Sequence, residues 1–422
     1  MEYKDKRQTS LMRSSLKTST IEGSWWAVMY GMVEAYFSAF FEVLKYSSFE
    51  ISILNTFPLF VGSCVQNLAY KFYHFFQSRK ILLVGLKLLQ CFLIPTIYLV
   101  GIRLNNFYIF LIFICFYFAI ALSQQSPWTS WMGYLVPSRL RGRYFGHRSQ
   151  IIRIAMLISS LFAGVILNSF EQINPLFGFG VIFFIGVIAN FGSAYYLYFQ
   201  YEPDYHVVQE KDEKINLRDK KFRFIKTFIS YDALSEFSFS ISGPLMMIYW
   251  IRELDFNYLE IALLLNVSQL VGLFSMRYWG RKIDKIGTYP VIRWNSMWIC
   301  IFPLLWINIY FAHDLIRLLL SLILASLASL FFSGRALAMD NRLYEHMDGK
   351  SMIKLTSRRV FYRGVAIFIG GLIGGMVSEI DLSQNMIIFK DVNTGFHIVL
   401  FLSFLIRFFI WLKFLKSSRG TV

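Results

Sequence analysis

The sequence predicts an all-α polytopic membrane protein, with twelve transmembrane helices in two pseudo-symmetric six-helix bundles. Three observations predict it: the apolar composition, the spacing of the apolar stretches, and the distribution of Lys and Arg between them. Of the 422 residues, 56% are hydrophobic and only 16% are charged, whereas soluble domains carry about 25% charged residues. The chain therefore has too little polar surface to cover soluble domains of this total length.

Twelve apolar stretches are long enough to cross the hydrocarbon core of a bilayer as helices, which takes about 20 residues each. Helices are expected because open strands leave backbone groups without hydrogen-bond partners in lipid. The predicted spans are residues 23–44, 49–70, 81–102, 107–133, 146–168, 175–199, 227–250, 256–279, 289–311, 314–339, 357–379 and 394–412.

Lys and Arg are concentrated in every second gap between the spans. Of the 42 cationic residues, 31 are counted with the two termini and the even-numbered gaps, including Arg148, Arg358, Arg359 and Arg363 just inside the adjoining spans. Five are counted with the odd-numbered gaps, including Arg317, and six remain within spans or at their ends. Cations near span ends are retained on the cytoplasmic side of a membrane. The pattern predicts a multi-pass protein of the cytoplasmic (inner) membrane with both termini in the cytoplasm. It also accounts for the net charge of +16 without a nucleic-acid partner.

A long polar stretch in the middle divides the chain into two halves that echo each other at an offset of about 210 residues. Phe49-Glu50-Ile51 opens span 2 and Leu259-Glu260-Ile261 opens span 8, while small residues recur at 159–166 in span 5 and 370–377 in span 11. Small residues let helices approach closely. We predict a tail over 1–22, a bundle over 23–200, a cytoplasmic linker over 201–226, a second bundle over 227–412 and a tail over 413–422.

The loop after span 8 runs from Gly280 through Asp284 and Lys285 to Gly287. It resembles the Gly-x-x-x-Asp-Arg/Lys-x-Gly loop of the major facilitator superfamily. The glycines permit a tight turn between helices, and the Asp284 carboxylate can cap a helix N-terminus or pair with a cation. The equivalent loop after span 2 lacks the acid.

The junction between spans 4 and 5 carries a second similarity to bacterial members of that superfamily. Pro137 stops span 4, Arg141 faces head groups or the other half, and Gly142 and Gly146 allow a tight turn into span 5. The resemblance implies two six-helix bundles around a central cavity and alternating access to a bound solute. The predicted gating residues are Gly280, Asp284, Lys285, Gly287, Arg141 and Gly142.

Ionisable residues at bilayer depth are the first candidates for binding, because a charge there costs several kcal/mol unless it faces partners or water. Glu34 lies near the middle of span 1, and Asp232 and Glu236 lie four residues apart on one face of span 7. In the superfamily these spans line the cavity, so we expect a proton or cation site. The alternative is structural ion pairing, with Arg153 of span 5 as one partner. Arg153 is also a candidate for binding an anionic group of the solute.

Polar residues elsewhere in the spans extend the candidate lining. Asn55 and Asn266 are near-equivalent by the repeat, and Gln124 and Gln269 lie in spans 4 and 8. Each can hydrogen-bond a polar solute or another helix. Lys87 and Arg407 are expected to extend to the membrane surface, and Arg335 is expected to pair with Asp340.

These features predict a secondary active transporter of a small molecule, acting as a monomer in the lipid bilayer, with protons as a candidate coupling ion. We expect no enzyme activity, because no catalytic constellation stands out. No cofactor and no metal are expected either, since the cysteines and histidines show no ligand spacing. The alternative is a twelve-span lipid-linked oligosaccharide flippase of another superfamily, against which the two loop motifs argue.

Overall fold

Every regular element in the described part of the chain is helical. A computed structural model describes residues 2–76, 78–104, 106–136, 141–202, 220–346, 349–380 and 394–415. The helices are α1 (Glu2–Met32), α2 (Phe37–Val43), α3 (Ser48–Phe76), α4 (Arg79–Arg103), α5 (Phe107–Ser123), α6 (Gln125–Leu135), α7 (Arg141–Phe170), α8 (Pro175–Tyr198), α9 (Lys220–Ser242), α10 (Met246–Arg252), α11 (Tyr258–Ile286), α12 (Thr288–Tyr310), α13 (Asp314–His346), α14 (Gly349–Ser378) and α15 (Thr394–Leu415).

Within these residues, ten helical segments are long and apolar enough to cross a membrane. They correspond to ten of the twelve predicted spans, with α5 and α6 together forming span 4. The other two, spans 1 and 7, are each divided by a 3₁₀ turn, at Glu34–Tyr36 and at Gly243–Leu245. The predicted all-α, polytopic fold is confirmed.

Spans 1 and 7 are interrupted at equivalent places. The two 3₁₀ turns lie 209 positions apart, and each is followed by a seven-residue helix, α2 in the first half and α10 in the second. Soon after each short helix comes a residue in the left-handed region, Lys45 with φ 63° and Asp255 with φ 54°. The repeat seen in the sequence therefore extends to the backbone conformation of the opening helix of each half.

The first sequence echo marks two equivalent helix starts. The Ser47 N–H donates to the Glu50 carboxylate at 2.9 Å, and the Glu50 N–H donates to the Ser47 hydroxyl at 3.2 Å. Asn257 and Glu260 make the same reciprocal pair, with both bonds at 2.9 Å. This capping box satisfies backbone donors that have no partner in the first turn of a helix. The acid at the start of spans 2 and 8 thus has a structural role.

The chain divides into two compact units. Unit 1 comprises Met1–Leu44 and Val61–Asp212, and unit 2 comprises Lys45–Phe60 and Glu213–Val422. Inside unit 1, α1 packs against α7 and α8, and α4 packs against α8. Inside unit 2, α9 packs against α14 and α15, and α12 packs against α15. The first, third, fifth and sixth spans of each half therefore form the same pairs.

The second sequence echo lies where the paired helices approach most closely. In unit 1, a methyl group at Gly31 of α1 would overlap the hydroxyl of Ser159 in α7. In unit 2, a methyl group at Gly374 of α14 would overlap the carbonyl oxygen of Ile241 in α9. Small residues on one helix of each pair thus allow backbone contact, as the repeat predicts.

The turn between spans 8 and 9 is confined to one residue, unlike the prediction. Helix α11 continues through Gly280 and Asp284, and only Gly287, with φ 83°, has the left-handed backbone that favours glycine. Asp284 is exposed, and no side chain caps the start of α12, so the expectation that Asp284 caps this helix is wrong.

The junction between spans 4 and 5 also differs from the expected turn. Helix α7 begins at Arg141, so Gly142 and Gly146 lie within the helix. Pro137 lies outside the described residues.

Candidate functional site

Glu34 occupies the break in span 1. It begins the 3₁₀ turn, is half-buried, and accepts a hydrogen bond of 2.7 Å from the hydroxyl of Tyr117. Tyr117 lies in α5 and is fully buried. In the described part of the chain, no Lys or Arg nitrogen lies within 4 Å of the Glu34 carboxylate. Among the described residues, Glu34 therefore has no cationic partner at ion-pair distance.

A buried carboxylate, Glu22, lies in α1 more than three turns before the break. It accepts hydrogen bonds from Arg148 at 3.2 Å and from the Ser193 hydroxyl at 2.9 Å. Lys87 of α4 is buried within electrostatic range of both Glu22 and Glu34. The expectation that Lys87 extends to the membrane surface is therefore wrong. Glu22 was missed because the span was drawn from residue 23, whereas α1 begins at Glu2.

Gln124 lies at the junction between α5 and α6 and is buried. Its side-chain nitrogen donates to the side-chain oxygen of Gln90 in α4 at 3.3 Å. Of the two readings given for this residue, the structure shows a bond between helices. Its second amide hydrogen leaves capacity for a further partner.

Asp232 and Glu236 of α9 are bound by arginines of α14. Arg359 donates to the two oxygens of Asp232 at 2.7 and 3.4 Å, and to Asp340 of α13 at 2.9 Å. Arg363 donates to Glu236 at 2.9 Å. We call these five residues the unit 2 ion-pair cluster. The cluster joins α9, α13 and α14 through charged hydrogen bonds, which are stronger than neutral ones.

The partners in this cluster differ from those considered in the sequence. Arg153 was the candidate partner for the span 7 acids, and the partners are Arg359 and Arg363. The sequence held a usable signal, because the acids and the arginines both lie four residues apart, which places each pair on one helix face. It was missed because these arginines were counted with the connection between spans 10 and 11.

Arg335 of α13 and Arg407 of α15 are both buried beside the same residue, Phe239. Their guanidinium carbons lie 4.9 and 5.0 Å from the centre of its ring, within cation–π range. Arg407 is only 8% exposed and donates to the Ile299 carbonyl at 3.2 Å and to the Ser242 hydroxyl at 3.1 Å. It therefore supports the end of α9 beside the 3₁₀ turn and does not extend to the surface.

Arg335 also differs from expectation. Its Nε donates to the hydroxyl of Tyr231 at 3.4 Å. The predicted pair with Asp340 is not formed, since Asp340 accepts from Arg359.

The remaining candidate side chains differ in their hydrogen-bond partners and burial. Asn55 donates to the carbonyl of Pro244, in the 3₁₀ turn of span 7, at 3.3 Å. Asn266 is buried and donates to the Ala262 carbonyl one turn back in its own helix at 2.7 Å. Repeat-related amides thus have different partners. Gln269 in α11 and Arg153 in α7 are both half-buried.

The candidate binding residues in each unit have charged or amide side chains. Among the described residues, no three or more His, Cys, Asp or Glu side chains are grouped to hold a metal ion.

Comparison with known proteins agrees with this architecture. The chain matches the sequence model of the Major Facilitator Superfamily over residues 24–378. No curated protein matches the sequence.

Solved structures with similar folds cover nearly the whole chain. A bacterial homologue of the iron transporter ferroportin, in an inward-facing state, is 13% identical with a TM-score of 0.74, over 96% of this chain and 99% of its own. A bacterial homologue of the human lysosomal transporter Spinster is 12% identical with a TM-score of 0.70, over 96% of each chain. A D-xylose–proton symporter is 15% identical with a TM-score of 0.66, over 97% of this chain and 98% of its own.

At these identities the solved structures bear on the fold alone, whereas the family model covers most of the sequence. With its membrane-spanning helices and repeated halves, this chain belongs to the Major Facilitator Superfamily of membrane transporters.

Proposed function

We propose that this protein is a secondary active transporter that moves a small polar solute across the cytoplasmic membrane by alternating access, with proton movement coupled through Glu34. Membership of the superfamily supports transport by this class of protein, and a D-xylose–proton symporter shares the fold. Family membership also argues against the flippase of another superfamily. The cation distribution supports an orientation with both termini in the cytoplasm.

The observation that carries the coupling proposal is the contrast between Glu34 and the span 7 acids. Protonating Asp232 or Glu236 would neutralise a carboxylate that an arginine of α14 binds at 2.7 or 2.9 Å, and weakening a buried ion pair from one side is costly. Protonating Glu34 breaks no ion pair, because its close partner is the neutral hydroxyl of Tyr117. A change of charge at Glu34 would therefore be felt by the buried Lys87 without breaking a close ion pair.

The unit 2 ion-pair cluster has a different role in this proposal. Its carboxylates hold α9 to α14 and α13, so we assign Asp232 and Glu236 to maintaining the shape of the binding site. The candidates for direct solute contact are the other polar side chains predicted within the spans: Asn55, Gln124, Arg153, Asn266 and Gln269.

Gating is assigned to the two cytoplasmic junctions. Gly287 is the turn between α11 and α12, and Gly280, Asp284 and Lys285 lie on the last turns of α11 leading to it. Arg141 and Gly142 are the first two residues of α7, at the second junction. Gly287 is the single left-handed residue between the long helices α11 and α12, which supports a hinge at this position.

The coupling proposal is tested with purified protein in vesicles that contain a pH-sensitive dye. Members of a panel of neutral, anionic and cationic solutes are added outside, and solutes that cause proton movement are identified from the dye. Uptake of a positive solute is then measured with and without a pH gradient. We expect gradient-driven accumulation by the wild type. With Glu34→Gln we expect none, while exchange of solute across the membrane persists.

Glu42→Gln is the matched control, since Glu42 is also a half-buried acid in span 1, and it should accumulate solute like the wild type. Accumulation by Glu34→Gln at the wild-type level would show that coupling does not pass through Glu34.

A further inference from the structure

The C-terminal end of α11, which is cytoplasmic in the proposed topology, carries a groove of about 400 Å³ on the surface of unit 2. It is lined by two aromatic and four cationic residues: Phe274, Arg277, Tyr278, Arg281, Lys282 and Lys285. Their spacing of three and four positions places them on one face of the helix. The groove therefore combines apolar and positive surface along the last three turns of a membrane-spanning helix.

The side chains of the groove face outwards. Phe274 is 72% exposed and Tyr278 is 52% exposed, and all four cations are exposed. Lys282 lies over the Tyr278 ring at 5.6 Å and donates to its hydroxyl at 3.4 Å. Asp284, also exposed, is the nearby acid on this part of the helix and does not line the groove. The groove wall thus presents four positive charges and no carboxylate.

The order of these residues along α11 matches the layers of a membrane surface. Phe274 comes first, within the apolar span, Arg277 and Tyr278 follow one turn later, and Arg281, Lys282 and Lys285 come last. Aromatic rings favour the level of the head groups, and Lys and Arg beyond them attract anionic lipids of the cytoplasmic leaflet. A phospholipid fits this arrangement, with its acyl chain beside Phe274 and its phosphate among the cations.

We infer that this groove is a binding site for an anionic phospholipid. The inference rests on the chemistry of the groove and on its place at the cytoplasmic end of α11. It is independent of the solute and of Glu34. A soluble phosphate would use the same cations and leave the exposed Phe274 uncovered, so the lipid is the better match.

The test is native mass spectrometry of the purified full-length protein, titrated with phosphatidylglycerol or phosphatidylcholine of equal chain length. Each cation at an anionic surface contributes about a fivefold factor in affinity. We expect the wild type to prefer phosphatidylglycerol by at least about tenfold. The triple variant Arg277→Gln, Arg281→Gln, Lys282→Gln should bind it about a hundredfold more weakly, since Gln retains helix propensity at exposed positions.

The matched control is the triple variant Arg13→Gln, Lys17→Gln, Lys226→Gln. It removes three exposed cations from other parts of the predicted cytoplasmic side and should retain the preference. Equal loss in both variants, or none in the groove variant, would reject the site.

Two further measurements separate the remaining explanations. Phe274→Ala leaves the charges unchanged and should weaken phosphatidylglycerol binding, which keeps the proposal testable if the triple variant does not fold. Displacement of the lipid by millimolar inorganic phosphate would instead indicate a site for a soluble anion and overturn the lipid assignment.

Discussion

The guanidinium of Arg359 binds both carboxylate oxygens of Asp232, at 2.7 and 3.4 Å, and ties α14 to α9. Both side chains are shielded from solvent, at 11% and 2% exposure. Removing one partner of a buried pair leaves an uncompensated charge, whereas removing both can be nearly neutral. The pair is therefore expected to behave as a unit when it is mutated.

We expect Asp232→Asn and Arg359→Gln each to destabilise the protein by about 3–5 kcal/mol. The double variant should lose clearly less than the sum of the two. Thermal unfolding of the purified protein, followed by intrinsic fluorescence, measures both effects. Arg358→Gln is the control, because this neighbouring arginine is exposed and its loss should matter little. Additive losses in the double variant would show that the two residues are not coupled.

The bond between Tyr117 and Glu34 gives a second prediction. Tyr117→Phe keeps the ring and removes the donor, which leaves a partly buried carboxylate acceptor unsatisfied at a cost of about 1–3 kcal/mol. Tyr108→Phe removes a hydroxyl from the same helix at a position that is 74% exposed, and it should have no measurable effect. Equal unfolding temperatures for the two variants would contradict the assigned bond.

A third prediction concerns the close approach of α9 and α14. Gly374→Ala would place a methyl group against the Ile241 carbonyl, and neither backbone can move without separating the helices. Overpacking of this kind costs about 1–3 kcal/mol or more. At Gly85 in α4 a methyl group meets nothing within 4 Å, so Gly85→Ala should stabilise its helix slightly. The yield of folded protein and its unfolding temperature distinguish the two outcomes.

The paired capping boxes predict equal responses at repeat-related positions. Glu50→Ala and Glu260→Ala should each cost about 1 kcal/mol, because each leaves a backbone N–H at the start of its helix without a partner. Gln at either position still accepts the bond and should retain most of the stability. A large effect at one site and none at the other would mean that the sequence echo has no common structural cause.

Orientation in the membrane gives the last prediction. Arg103, at the end of α4, and Lys282, near the end of α11, are both exposed and fall on opposite sides in the proposed topology. A membrane-impermeant thiol reagent applied to intact cells should label Arg103→Cys and not Lys282→Cys. Both should react after the cells are opened. The native thiols provide the background, since all four are free and at least half-buried. The reverse labelling would invert the topology.

The sequence was sufficient for the helices and for the repeat, because length, polarity and cation placement are set by the bilayer itself. It was insufficient for the partners of the charges. Arg359 and Arg363 lie in the first turns of predicted span 11 and were counted with the polar connection before it, yet α14 begins ten residues before Arg359, at Gly349. Glu22 was assigned to the tail because the apolar stretch begins only at residue 23. The helix itself extends well before that stretch. Tertiary packing decides which charged residues become partners, and the local sequence pattern does not reveal that packing.

The breaks in spans 1 and 7 were not predicted from the sequence, and the two breaks differ in how much local signal they carry. Gly243 and Pro244 are a local signal, since proline lacks the backbone N–H that continues a helix. The break at Glu34–Tyr36 contains neither residue type, and so it could be located only through its equivalence with the second.

Helices α2 and α10 are only seven residues long, and this determines what stabilises them. Two turns are too few for a helix to be stable alone, so the surrounding rings must impose the conformation. For α2 these include Tyr98 and Phe183, whose rings lie 6.0 and 5.0 Å from that of Phe40. For α10, Tyr249 packs beside Phe396. The segment of each opening span beyond its 3₁₀ turn is thus held in shape by its aromatic neighbours, and substitutions of those rings should alter this end of the span while leaving the longer helices intact.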